Sequence, residues 1–199
     1  MGTQSDTPSV VSLEGRRVVV GVCGGIAAFK VCSVVSGLVQ RGAGVTVAMT
    51  KAATKFVGPV TFQALSGENV VTSLWHQEAR SDVRHISLTD EADIVLIAPA
   101  TANMIGKIAG GIADDVVSTL VIGSAAPVVL APAMNNRMWE NPVVRRNVDT
   151  LRELGYRLID PGEGWLACRS IGPGRMAEPD EILDVLTECL HAASKPGRS

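Results

Sequence analysis

Residues 17–28 read RVVVGVCGGIAA, and this stretch decides the fold. After Arg17 comes a β-branched run, Val18, Val19, Val20 and Val22, apolar at successive positions rather than alternating. Such a run fits a strand buried on both faces, which belongs in a parallel sheet covered by helices. It stops at Cys23-Gly24-Gly25, and over 26–40 the apolar residues take helical spacing. A strand that turns through glycines into a helix is the opening unit of an open α/β sheet.

The same alternation continues outward. Strands are expected at 45–49, 93–98, 127–130 and 156–159, with a short one at 70–72. Pro99 and Pro132 close two of them. Helices are expected at 51–66 in one or two pieces, at 101–109, 114–122, 142–154 and 180–192, while 75–86 is polar and irregular. The reading is an α/β fold: a single-domain, doubly wound parallel sheet in three layers, α/β/α, with right-handed crossovers. The 199 residues suffice for one such domain. It is expected over 16–193, with a disordered segment at 1–15, a loose tail at 194–199 and a flexible glycine-rich clamp at 161–177.

Composition narrows the function. Hydrophobic residues at 46% support a large core, and aromatics at 4% leave small aliphatic residues to fill it. The net charge of -2, with no basic run, argues against nucleic acid or an anionic membrane surface as partner. No apolar stretch is long enough to span a bilayer, and residues 1–8 lack a basic head and an apolar run. The four cysteines have no metal-site spacing, so no metal is expected and a reduced, cytoplasmic protein is the simplest reading.

Ligands of a parallel sheet sit at the carboxyl ends of its strands. At the first end, Gly24, Gly25 and Ile26 would let backbone N–H groups approach a phosphate at a helix start. The spacing is neither G-x-G-x-x-G nor a P-loop, so a tight turn without a ligand also fits. The second strand ends at Met49-Thr50, without the acidic residue that holds a dinucleotide's ribose. A hydroxyl there suits the phosphate of a mononucleotide, or else Thr50 caps the next helix. The third and fourth ends read Ala98-Pro99-Ala100-Thr101-Ala102-Asn103 and Ala131-Pro132-Ala133-Met134-Asn135. Small residues admit a flat ring and amides bond its heteroatoms, although either Asn also suits a helix cap. Of the three histidines only His85 is a candidate for chemistry; His76 and His191 are given no role. Cys168 lies in the glycine-rich stretch, with Arg169 beside it and Arg175 nearby to favour a thiolate.

These motifs resemble the homo-oligomeric flavin-containing cysteine decarboxylases. The resemblance runs from about residue 16 to 192. It rests on Gly24-Gly25-Ile26-Ala27, on His85-Ile86-x-Leu88 and on the two alanine-proline turns. Pro132-Ala133-Met134-Asn135-x-x-Met138-Trp139 and Ala167-Cys168 through Gly172-Pro173-Gly174-Arg175-Met176 complete it. It implies a flavodoxin-like, Rossmann-like architecture and FMN as cofactor. It also implies trimers or dodecamers with active sites at subunit interfaces. Gly24, Gly25, Ile26, Thr50, Thr101, Ala102 and Ala131 would surround the flavin. His85 would be the base, Asn135 would hold the substrate carboxylate, and Cys168 would donate the last proton. Asn103, Met134, Met138, Ala167 and Arg175 would contact the substrate.

The implied reaction is decarboxylation of 4'-phosphopantothenoylcysteine to 4'-phosphopantetheine in coenzyme A synthesis, through thioaldehyde and enethiolate stages. A separate phosphopantothenate–cysteine ligase would supply the substrate. A cysteine at 168 favours complete reduction. Relatives that decarboxylate a peptide's C-terminal cysteine stop at the enethiol, and a non-catalytic flavin-binding regulator is the other alternative. Two positions depart from the commoner pattern: Cys23, where Ser is frequent, and Arg169-Ser170, where Gly-Asp is common.

Overall fold

A computed structural model describes residues 11–74, 90–165, 169 and 171–192. Its centre is a five-stranded, wholly parallel sheet. The strands are β1 (Arg17–Val22), β2 (Gly44–Met49), β3 (Ile94–Ala100), β4 (Val128–Pro132) and β5 (Arg157–Leu158). Their order is β2-β1-β3-β4-β5, that of a doubly wound sheet whose direction of winding reverses between β1 and β3. In register, Val20 lies between Val47 and Leu96.

Between the strands run α1 (Ala28–Gln40), a 3-10 turn (Ala53–Lys55), α2 (Pro59–Ser66), α3 (Ala102–Ala109) and α4 (Val116–Ile122). After β4 come the single-turn α5 (Asn136–Trp139) and α6 (Pro142–Glu153). The hairpin β6 (Gly162–Trp165) and β7 (Ile171–Arg175) follows, and α7 (Pro179–Ala192) ends the described chain.

Alternate strand residues face opposite layers. Val18, Val20, Val22, Leu96 and Val129 pack with Val31, Leu38 and Phe62, and with Leu186 of α7. Val19, Val95, Ile97 and Leu130 pack with Met104 and Ile105 of α3, Val117 of α4 and Leu151 of α6. The amphipathic helix α6 owes its place to Val148 and Leu151, both fully buried. Cutting Leu151 to Ala would cost about 2–5 kcal/mol. Among the described residues no helix is long and apolar enough to cross a membrane.

The differences from the sequence reading have physical causes. The third strand continues through Pro99 to Ala100, and its register to β4 shifts between Ile97 and Ala100; proline offers the ladder no donor there. The expected strand at 70–72 is a single bridge, in which Val71 pairs with Ala48 at the sheet edge. The last parallel strand shrinks to two residues at the opposite edge. Order begins before residue 16: Leu13 is 2% exposed and its N–H bonds Arg41 O at 2.7 Å. The expectations for 1–10, 75–86 and 194–199 lie outside the described residues.

Candidate active site

An open cleft of about 1240 Å³ lies at the carboxyl ends of β1 to β4. Its first wall is the turn after β1. A side chain at Gly24 would put a Cβ 2.3 Å from Ala52 Cβ and 2.9 Å from Ala52 C, so this turn packs directly on the one after β2. Among the described residues nothing lies nearer the Cβ position of Gly25 than Thr101 Cγ2 at 3.7 Å. Helix α1 begins without a side-chain cap. Among the described residues no acceptor is seen for the N–H groups of Ile26 and Ala27, which line the cleft. Uncapped donors at a helix start suit an anion.

Thr50 also lines the cleft and serves as a cap: its Oγ1 accepts from Ala53 N–H at 3.2 Å. A hydroxyl that accepts can still donate, so the capping and phosphate readings coexist. Thr101 caps α3, its Oγ1 accepting from Met104 N–H at 3.3 Å, and Ala102 and Asn103 follow it along the cleft. Beneath them Cys23 is 1% exposed. Burial first, and the Asp115 charge second, push its thiol up to about 12, so it stays protonated at neutral pH.

Lys107 and Asp115, also on the cleft wall, were not singled out by the sequence reading. Lys107 Nζ lies 2.6 Å from Asp114 Oδ1 and 2.7 Å from Asp115 Oδ2. Partial burial pulls the Lys107 ammonium down, but its bonds to the two carboxylates outweigh this and raise it. The hydrogen bond from Lys107 holds the Asp114 carboxyl below its usual range. Asp115 caps α4 by accepting from Val117 and Ser118 N–H, and Ser118 Oγ accepts from Asp115 N–H in return. That Asp-x-x-Ser spacing is the one signal in the sequence that could have found it.

The opposite wall is the turn after β4. Asn135 caps α5: its Oδ1 accepts from Met138 N–H at 3.1 Å. The oxygen is therefore committed to the helix, and the Nδ2 amide is the end left for the cleft, which Met134 and Met138 also line. Ala131, expected at the flavin, is fully buried in the core beside Val129 and does not line the cleft; Ala133 does. Ala131 still lies within β4, packed in the layer of α1 and α7, whereas Ala133 follows the end of the strand.

The hairpin closes one side. Met134 N–H bonds Gly174 O at 2.9 Å. Gly174 has φ +121, and a Cβ there would lie 2.3 Å from Met134 O, so only glycine fits this contact. Trp165 on β6, 64% exposed, and Arg175 on β7 line the cleft. Arg175 Nη2 lies 2.9 Å from Glu178 Oε1, and Lys30 Nζ lies 2.9 and 3.0 Å from the two oxygens of Glu178. His85, Ala167 and Cys168 lie outside the described residues. Among the described residues no group of side chains is arranged to hold a metal.

The model of the flavoprotein family matches residues 7–191. The chain is 48% identical over 171 residues to the coenzyme A biosynthesis bifunctional protein CoaBC of Bacillus subtilis (strain 168), covering 86% of this chain and 42% of that protein. It thus spans about half the length of the curated relatives it matches. Among solved structures it superposes on a PPC decarboxylase mutant complexed with pantothenoylaminoethenethiol. The TM-score there is 0.78 at 33% identity, over 86% of this chain and 96% of that one. It also superposes on the FMN-dependent cysteine decarboxylase SpaF, with TM-score 0.80 at 35% identity, over 92% of this chain and 100% of that one.

Proposed function

The chain belongs to the flavoprotein family, and from that premise we propose that it binds FMN in the strand-end cleft and decarboxylates 4'-phosphopantothenoylcysteine to 4'-phosphopantetheine. The relatives' names support the pathway and the reaction, and SpaF supports the cofactor. The cleft fits the cofactor: Thr50 and the N–H groups of Ile26 and Ala27, which have no acceptor among the described residues, line it together and suit a phosphate. Gly25, Thr101 and Ala102 leave a shallow wall for a flat ring. When bound, FMN supplies a two-electron acceptor that the saturated CH₂–SH unit lacks.

The observation that carries the reading is Asn135. Its cap bond leaves a neutral amide donor facing the cleft. A neutral donor orients a carboxylate without stabilising its full charge, as a lysine or arginine would, and so opposes its loss less. Met134, Met138 and Trp165 give the cleft an apolar lining. His85 is assigned the thiol proton at the start and Cys168 the proton that completes the saturated product. Asn103, Ala167 and Arg175 are assigned to the substrate. The catalytic unit is taken as 16–193, with 161–177 as the clamp.

The proposal extends to a homo-oligomer, trimer or dodecamer, with sites at subunit interfaces. The exposed apolar side chains Ile26, Phe29, Met138 and Trp165 at the cleft support a second subunit covering it. A cytoplasmic location and supply of substrate by phosphopantothenate–cysteine ligase complete the reading. The test is to record the visible spectrum of the purified chain and follow the mass of 4'-phosphopantothenoylcysteine incubated with it. A yellow protein giving a product lighter by carbon dioxide alone is expected. A yellow protein that acts only on cysteine-ending peptides, or on neither, overturns the substrate assignment.

A further inference from the structure

We propose that Lys30, Glu178 and Arg175 form a recognition site for a phosphate monoester at the edge of the cleft, apart from the glycine turn after β1. The proposal rests on the function argued above and names what would hold the substrate's charged end.

Four cations line the cleft among the described residues: Lys30, Lys51, Lys107 and Arg175. Lys107 meets two carboxylates and has no charge to spare. Lys51 is exposed on the side of the turn after β2. Lys30 and Arg175 differ from both, because they share one carboxylate. Glu178 Oε1 accepts from Lys30 at 2.9 Å and lies in an ion pair 2.9 Å from Arg175 Nη2. Two cations braced on one anion leave a net positive charge.

The placement is otherwise unfavourable. Lys30 stands in the first turn of α1, where the helix dipole disfavours a cation. Its side chain is only 15% exposed. Glu178 offsets that cost, and the Lys30 bond holds its carboxyl below the usual range, so the brace stays ionised at neutral pH. Arg175 is 43% exposed and uses Nη2 on Glu178. Its Nη1 lies 3.4 Å from where a Cβ on Gly164 would be, so the guanidinium lies against β6 where a glycine admits it. Among the described residues no acceptor is seen for Nη1, and a planar guanidinium beside an ammonium suits a phosphate's oxygens.

The site also lies in the right direction. Arg175 follows Gly174, which is bonded to Met134 next to Asn135. The hairpin base thus leads from the amide proposed for the reacting carboxylate to Lys30 on the far wall. The substrate's phosphate is at the end of its pantothenoyl arm away from the cysteine. FMN carries the same chemical group, so the experiment separates the two sources.

In the FMN-loaded chain, kcat/KM is measured for 4'-phosphopantothenoylcysteine and for its dephosphorylated form. Dissociation constants of FMN and riboflavin are measured on the apoprotein. Wild type is expected to prefer the phosphorylated substrate. Lys30→Met and Arg175→Gln are expected to lower that preference about tenfold, with Lys30→Arg restoring it. A fall in the FMN-over-riboflavin preference instead would keep the phosphate site and assign it to the cofactor. Inorganic phosphate titrated against wild type needs no variant: it is expected to compete with the phosphorylated substrate and not with the shorter one. Both ratios unchanged in every variant, or no such competition, overturns the proposal. If neither compound turns over, the proposed function fails, and the affinities of 4'-phosphopantetheine and pantetheine then judge the site by the same ratio.

Discussion

The floor of the cleft, where β1, β3 and β4 end, and the β6–β7 hairpin at its side are held by different forces. In and beneath the floor, Cys23, Ala98, Ala100 and Ala131 are at most 1% exposed and sit in the same packing as the sheet. The hairpin leaves Trp165 and Ile171 at 64% and 75% exposure. It is fixed to the body by Met134–Gly174 and by the Glu178 ion pairs. Burial gives the floor its stability, whereas a few directional contacts give the hairpin its position. Damage to the floor should lower stability, and damage to the hairpin should lower activity at constant stability. Asn135 stands at the seam between them.

The largest effect is expected from Asn135→Asp. Aspartate caps a helix as well as asparagine does, so the melting temperature should stay within a few degrees. The new carboxylate would face the substrate's own, and turnover should fall by about 100-fold or more. Loss of fold along with activity would break the separation at the seam. Next is Gly174→Ala, whose Cβ would meet Met134 O at 2.3 Å from a backbone with φ +121. The hairpin base must shift, and a displacement of about 1 Å near a reacting group costs on the order of 100-fold in rate. Calorimetry should show the sheet melting where it did; a collapsed Tm would show that the hairpin is part of the core.

Gly21→Ala is the converse. Its Cβ would lie 2.6 Å from Ile97 Cδ1 and 2.8 Å from Val117 Cγ1, between the sheet and α4. Overpacking of this kind costs about 1–3 kcal/mol. Denaturant unfolding should show that loss while kcat per folded molecule at low temperature changes little. Equal losses of both would mean the floor and the chemistry are not separable.

The contrast also explains what was legible in the sequence. Buried parallel strands are continuous β-branched runs, so β1 is read to the residue and β2 to within one. The hairpin is not read, because Gly162–Trp165 and Ile171–Arg175 show no alternation of apolar and polar residues; its shape depends on Gly174 meeting Met134. The single turn α5 is shorter than the helical repeat can reveal. Ten of the expected cofactor and substrate residues line the cleft, from Gly24 to Arg175, and Asn135 lines it with them. Ala131 does not: β4 runs through Pro132, two residues past its expected end, and keeps Ala131 in the core. Lys30 and Glu178 are 148 residues apart, and nothing local in either neighbourhood announces the other.

The smallest effect separates the two regions by pH. Cys23 belongs to the floor, and burial pushes its thiol from 9.0 up to about 12. A folded-state value above the unfolded one means that the native chain holds this proton more tightly. The resulting stability is complete below pH 9 and is lost as pH rises from 9 toward 12, by up to about 1 kcal/mol per pH unit. The rest of the chain also responds to alkali, so the quantity to measure is the difference between wild type and Cys23→Ala. Unfolding free energies from urea titrations at pH 8, 9 and 10 should converge for the two proteins as pH rises, because only wild type loses this contribution. Cys23 should also resist iodoacetamide at pH 8 in the native state and react once unfolded. Parallel pH profiles together with rapid native labelling would mean that water reaches beneath the glycine turn, and the floor would then be as open as the hairpin.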